Sequence, residues 1–368
     1  MHYRKFGKTG IEISALGFGG MRLPADENEA IRVIRHALDL GVNYVDTAVV
    51  YGESETIIGK AIKGYRDRIY LSTKNPTGDT DGKAWRERLE KSLRKMDVDN
   101  IDFYQIVHGM SWKGYQEKFS VPGAAMEEAY KAKEEGLIGH LCYSSHDKPE
   151  GIIKLIDTGR FEGMTVQYNL LDRGNEPAIE HAARSGMGVV IMGPVGGGRL
   201  AAPSETVMRM IPGEVKSSAE VALRFVLANP NVTCAISGMN TIAQVEENVA
   251  TASREEPLSD AERVMIGDAL AETKKLADLY CTGCRYCMPC PNEVNIAENF
   301  LYMNYHRVWG LTEHAKRMYQ RIGSERWHVK GKKASECMEC GECEPKCPQN
   351  ISISEQLKET AKTLGDEG

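Results

Sequence analysis

The chain has 368 residues, of which 42% are apolar and 27% charged, and its formal net charge is −6. These proportions exclude a disordered polymer, and the acidic balance argues against a nucleic-acid partner, which needs a net basic face to neutralise phosphates. No stretch approaches the roughly 18 consecutive apolar residues of a membrane span, and the charged N-terminus MHYRKFGKTGIEIS is unlike a leader, so a cytoplasmic protein without a membrane partner is expected.

Tyr3–Phe6 and Ile11–Ser14, split by GKTG, predict a β-hairpin. LGFGG (16–20) is the first of a series of short apolar strands. The helical run DENEAIRVIRHALDLG follows, with Asp26 as N-cap, Glu29 as its capping-box partner and Gly41 as the stop. The next strands are VNYVD (42–46), RIYLSTK (68–74), IDFYQIVH (101–108), LIGHLCYS (137–144), GMTVQYN (163–169), GVVIM (188–192) and VTCAI (232–236). Between them, helical patterns lie near 53–63, 82–96, 123–135, 148–158, 176–185, 217–228 and 241–252. Eight strand–helix repeats fit a closed parallel barrel of about 250 residues better than an open sheet, so the fold class is α/β with a (β/α)8 barrel over 1–275. SDAE (259–262) opens one more long helix that leads out of the barrel. Cys142 and Cys234 sit in apolar runs, where a buried, inert thiol is the default.

Active sites of such barrels form at the C-terminal ends of the strands. There the chain carries Asp46 closing the second barrel strand, Tyr51 in the loop beyond it, Lys74 closing the third and His108 closing the fourth. In this set the sequence resembles the aldo-keto reductase family over roughly residues 1–275. The resemblance implies that Tyr51 gives a proton to a carbonyl receiving a hydride, Lys74 lowers the phenol's pKa, Asp46 keeps Lys74 charged and His108 orients the carbonyl. For any one residue alone, a structural ion pair or a capping His is the competing reading.

The resemblance extends to a nicotinamide site. Ser144 and Ser145 in CYSSH and Gln167 in VQYN would hold the carboxamide. Met192 stands where many members stack a tyrosine on the ring, and the loop Gly193–Gly198, including Gly196, would run along the pyrophosphate. In SGMNTIAQVEENV (237–249), Glu247 and Asn248 sit at the adenine position, while Gly238 and Gln244 replace the basic residues that hold the 2′-phosphate of NADP in many members. The cofactor is therefore NADP or NAD, with a modest preference for NADPH over NADH expected.

The remaining eight of the ten cysteines lie in two runs, Cys281-x2-Cys284-x2-Cys287-x2-Cys290-Pro291 and Cys337-x2-Cys340-x2-Cys343-x3-Cys347-Pro348. The second has the bacterial ferredoxin spacing, in which the fourth cysteine ligates the other cluster. Two 4Fe-4S clusters with crossed ligation are expected, Cys281, Cys284, Cys287 and Cys347 on one, and Cys337, Cys340, Cys343 and Cys290 on the other; structural zinc is the alternative. The intervening residues 291–336 are rich in helix formers and aromatics, and 276–368 resembles the mainly α-helical dicluster ferredoxin-type module of respiratory and heterodisulfide-reductase-type subunits. Between Leu301 and Ser335, Arg307, Lys316, Arg317, Arg321, Arg326, Lys330, Lys332 and Lys333 outnumber Glu313 and Glu325, and they read either as a solvated helical face or as an offset to cluster charge.

The reading is a fused oxidoreductase acting on a small carbonyl or alcohol, with an electron-transfer protein as candidate partner. Tyr302, Tyr305 and Trp309 are candidates to cover the pocket. The alternative is an electron-transfer or docking subunit with little reductase activity. A channel-type β subunit would share the barrel but has no need of the cysteines.

Overall fold

The computed structural model describes residues 1–201, 204–211, 215–254, 258–278, 281, 285, 287–324, 329–347 and 351–365. Cys284, Glu325, Arg326 and Pro348, singled out from the sequence, lie outside this set.

Strands β1 (Tyr3–Lys5) and β2 (Glu12–Ser14) form the antiparallel hairpin. Eight parallel strands follow: β3 (Leu16–Gly19), β4 (Tyr44–Asp46), β5 (Tyr70–Lys74), β6 (Ile101–Gln105), β7 (Ile138–Ser145), β8 (Gly163–Gln167), β9 (Gly188–Met192) and β10 (Cys234–Ser237). They close in the order β10-β3-β4-β5-β6-β7-β8-β9. Closure bears out the (β/α)8 expectation: short strands covered by helices outside and side chains inside are buried on both faces, which is why they read as continuous apolar runs. Several strand boundaries differ from the expectation by about one to three residues, and at β6 the difference bears on the site. Pairing with β5 runs out at Lys74 opposite Gln105, so β6 stops there and His108 lies three residues beyond it, with its backbone N–H on Asn75 O at 2.6 Å.

Outer helices span Glu27–Asp39, Ser54–Ala61, Gly82–Met96, Ala125–Glu134, Pro149–Asp157, Glu176–Arg184, Ser218–Leu227 and Ile242–Ala252. Asp26 caps the first by accepting from Glu29 N at 2.8 Å, and the Glu29 carboxylate pairs with Arg32. The hairpin plugs the barrel floor. The Phe6 ring lies 4.2 Å from Phe103 between centroids, tilted by 37°, and a Cβ on Gly163 or Gly188, the first residues of β8 and β9, would collide with the Phe6 ring. Cys142 and Cys234 lie in the same inner core, and burial raises both thiol pKa values well above the ordinary range, as expected of inert thiols. With the floor filled, the open end is the C-terminal rim.

The chain forms two compact units, Met1–Gly197 with Ala222–Leu258, and Gly198–Val221 with Ser259–Gly368. The segment after β9 groups with the second unit. In that unit, Ser259 opens the helix Asp260–Asp278 through a reciprocal box with Glu262, at 2.8 and 3.2 Å. Helices Ile296–Arg307, Thr312–Tyr319 and Ile353–Leu364 surround a small apolar core. Fully buried Asn299 pins the stretch before Cys337 by donating to Lys332 O at 3.2 Å and accepting from Ala334 N at 2.8 Å. Ser204 Oγ donates to Trp309 O at 2.6 Å, which ties the segment after β9 into the unit. Among the described residues, no helix is long and apolar enough to cross a membrane.

Candidate functional site

Alternation along β5 puts Ser72 and Lys74 on one face, and the register sets Asp46 beside Ser72. Asp46 and Lys74 are only 3% and 2% exposed. The Lys74 ammonium donates to both Asp46 carboxylate oxygens and to Thr47 O, each at 2.7 Å. Ser72 Oγ at 2.9 Å and Gln105 Nε2 at 3.2 Å also donate to Asp46 Oδ1. A buried ion pair persists only when its remaining hydrogen-bonding capacity is met, and here the three protons of Lys74 all have acceptors.

Tyr51 hangs over this pair, with Lys74 Nζ 5.5 Å from its ring centroid, and meets His108 edge-on at 6.3 Å between centroids. The sequence-predicted four therefore come together. The expected electrostatics do not follow in full. Burial, and after it the Asp46 charge, pushes the Tyr51 phenol above the ordinary tyrosine value. The ammonium is spent on Asp46 and Thr47, so no net lowering by Lys74 emerges, and Tyr51 stays a protonated phenol. Burial, then Lys74 and His146, lowers the His108 pKa, which favours a neutral imidazole.

The residues expected to hold the carboxamide are divided in their commitments. Ser145 Oγ donates to Met110 O at 2.7 Å and accepts from Asp147 N at 3.1 Å. Ser144 Oγ is fully buried with no hydrogen-bond partner among the described residues. Such an orphan costs about 1–3 kcal/mol unless something completes it. Gln167 Nε2 is taken by Asp172 at 2.9 Å, and Met192 ends β9 half-buried. Beyond it, Gly193, Gly196, Gly197 and Gly198 have φ of 65°, 60°, 66° and 88°, a left-handed succession that side chains would strain. Around the last barrel strand, Gln244 Oε1 accepts from Asn240 N at 2.9 Å while Thr241 caps the helix, and Asn248 Nδ2 donates to Ser237 at 3.1 Å. Glu247 is half-buried, and Gly238 borders the Arg22 side chain.

Ser72 and Gln105, which buttress Asp46, were not foreseen. The alternation that marks Lys74 marks Ser72 equally, and Gln105 is the last paired residue of β6, so the signal was present.

In the second unit, Cys281, Cys287, Cys290, Cys337 and Cys347 border the apolar core and Cys343 lies within it. Cys340 is exposed, and none of the described cysteines is disulfide-bonded. Burial pushes the Cys343 thiol up to about 11, with Glu344, Cys287 and Cys337 adding to the effect, so thiols of the two runs are electrostatic neighbours. Asn304 Nδ2 holds Cys281 O at 2.9 Å. Among the described residues, no three thiol, imidazole or carboxylate groups converge on a single metal-ion position. Tyr302 is buried in this unit's own core and stacked on Tyr305 at 6.4 Å, so it is a packing residue rather than an open lid. Part of the basic stretch is locally paired: Arg307 with Glu359, and Lys332 with Glu293 at 3.4 Å.

Comparison with known proteins matches the family model described as "Aldo/keto reductase family" to residues 15–270, and the "4Fe-4S dicluster domain" to residues 280–352. The uncharacterized oxidoreductase YqkF of Bacillus subtilis is 31% identical over 288 residues, covering 69% of this chain and 92% of that protein. L-galactose dehydrogenase of Arabidopsis thaliana is 26% identical over 312 residues, covering 74% of this chain and 95% of that protein. Among solved structures, the holo form of aldo-keto reductase AKR11C1 from Bacillus halodurans superposes with a TM-score of 0.65 at 30% identity, covering 73% of this chain and 96% of that one.

Proposed function

The chain belongs to the aldo/keto reductase family and carries a 4Fe-4S dicluster domain, and from that premise we propose that it interconverts a small aldehyde or ketone and its alcohol using a nicotinamide cofactor. The domain division at 275/276 and a complement of two clusters are part of this proposal. The observation that carries it is the convergence of Asp46, Tyr51, Lys74 and His108 on the open rim of a barrel whose floor is filled.

The residues around the rim fit the cofactor. Ser144 offers a buried hydroxyl that awaits a polar partner, as a carboxamide would be. The left-handed glycines after β9 keep side chains off that loop, so that phosphate oxygens could approach its backbone closely. A reduced nicotinamide held there would supply the hydride that the carbonyl carbon receives. Tyr51 supplies the proton to the carbonyl oxygen from its phenol, which its raised pKa keeps loaded across the neutral range. The neutral His108 imidazole donates a hydrogen bond to the same oxygen and sets its orientation. Lys74, held by Asp46 and Thr47, lies against the Tyr51 ring and fixes the place of the phenol.

The described thiols of both cysteine runs fit iron–sulfur ligation, being undisulfided and, apart from the exposed Cys340, set at one apolar core; Cys281, Cys287, Cys290, Cys337, Cys340, Cys343 and Cys347, with Cys284, would hold the clusters, which would supply one-electron chemistry.

Replacing Tyr51 by Phe tests the reading. Carbonyl reduction should fall by about 10²–10⁴-fold with an unchanged visible cluster spectrum. A wild type inert across a broad aldehyde and ketone panel would instead favour an electron-transfer or docking protein.

A further inference from the structure

We propose that the Tyr319 hydroxyl donates a hydrogen bond to a sulfur of the cluster held by the second cysteine run, and thereby raises that cluster's reduction potential. The inference rests on the iron–sulfur reading above.

Tyr319 ends the helix Thr312–Tyr319 and is only 1% exposed. Its ring belongs to the core that contains Cys343 and is bordered by Cys281, Cys287, Cys290, Cys337 and Cys347. Its hydroxyl is buried and has no hydrogen-bond partner among the described residues. Folded proteins satisfy the large majority of such groups, and each one left bare costs about 1–3 kcal/mol. The core offers little else to accept the proton. Apart from the thiols its side chains are aliphatic, aromatic or the thioethers of Met288, Met303 and Met318, which are weak acceptors. Tyr302 differs, because the Glu298 carboxylate serves its hydroxyl. Anionic thiolate and sulfide sulfurs are the acceptors that cluster loading would bring to this core.

The surroundings of the ring select the cluster. Lys333 Nζ lies 5.6 Å from the Tyr319 ring centroid, and its ammonium donates to the neighbouring Gln320. Lys333 leads into the turn Ala334–Glu336, from which Cys337 N donates to Ala334 O at 3.1 Å. The stretch after Cys290 is bonded to the same segment: Glu293 N donates to Cys290 O at 2.9 Å, Lys332 N to Glu293 O at 2.9 Å and Asn295 N to Lys332 O at 3.1 Å. Tyr319 therefore lies beside the segment that joins the approach to Cys337 with the chain leaving Cys290, and the cluster on Cys337, Cys340, Cys343 and Cys290 is the one addressed. A reduced cluster carries one more negative charge than an oxidised one, so a donated O–H stabilises it more and eases its reduction.

Redox titration of the anaerobically purified, cluster-loaded full chain, followed by electron paramagnetic resonance, tests this against Tyr319→Phe, which keeps the ring and loses only the hydroxyl. At the potential that half-reduces this cluster in the wild type, the variant's ratio of reduced to oxidised cluster should fall by about three- to tenfold, tenfold being 59 mV for one electron. After equilibration in D2O, electron–nuclear double resonance of the reduced wild type should show an exchangeable hydrogen coupled to the cluster that the variant lacks. Tyr302→Phe should leave the potential in place. An unmoved potential in Tyr319→Phe overturns the proposal, as does a shift with every exchangeable coupling retained. A wild type without iron–sulfur signals defeats the cluster reading itself, an outcome distinct from a loaded protein whose potential ignores the hydroxyl.

Discussion

Asp46 accepts hydrogen bonds from Lys74, Ser72 and Gln105 at once while almost fully withdrawn from water, and this fixes the consequence of its loss. Asp46→Asn should destabilise the first unit by about 3–5 kcal/mol in denaturant unfolding, because it strands a buried ammonium. Adding Lys74→Met should return most of that stability and none of the activity. The pH profile belongs to the same scale. His108 is lowered from about 6.5 and Tyr51 raised from about 10, so the neutral imidazole persists to lower pH, and the protonated phenol to higher pH, than in free side chains. The kcat/KM for reduction should accordingly be flat from about pH 6.5 to 10, and an acid limb above pH 7 would contradict the assignment of His108. Asp46, Tyr51, Lys74 and His108 were legible because reactive residue types stood at successive strand ends. Tyr51's electrostatics were not legible, since they depend on where the three ammonium protons go, which only the folded arrangement decides.

The helix Ser54–Ala61 follows the Tyr51 loop and packs at Gly59, where a Cβ would come within 2.5 Å of Met96 O and 2.6 Å of Met96 Cα. Both are backbone atoms at the end of Gly82–Met96, so the helices must separate to admit a methyl group. Gly59→Ala should cost about 1–3 kcal/mol and lower kcat by displacing Tyr51, with cofactor affinity unchanged. Gly52, at φ 61° with nothing within 4 Å of a built Cβ, offers the contrast: Gly52→Ala should cost only the backbone strain, about 1–2 kcal/mol. Thermal and denaturant unfolding beside steady-state kinetics separate the two. Strands and outer helices could be read from the sequence because their periods are local. The grouping of Gly198–Val221 with the second unit could not, since Ser204 and Trp309 meet across about a hundred residues and neither carries a local signal of the contact.

For the whole molecule, two oxidised cubanes of about −2 each would take the formal charge from −6 to about −10, and the basic residues near the second cysteine run are then partly a counterweight. The second unit's core is small and bordered by thiols, so its helices should depend on the clusters, whereas the barrel has a large core of its own. Chelating the iron under anaerobic conditions should therefore remove part of the helical circular dichroism and leave the barrel's unfolding transition in place. A deeper question is how electrons reach substrate, because a hydride carries two together and clusters pass them singly. The direct measurement uses cofactor deuterated at the transferring position of the nicotinamide, with the anaerobically purified protein and an accepted aldehyde. Hydride transfer at the Tyr51 rim predicts deuterium on the carbinol carbon of the product, one atom per turnover; an unlabelled alcohol, with the deuterium lost to solvent, would show the electrons travelling by another route and contradict the account.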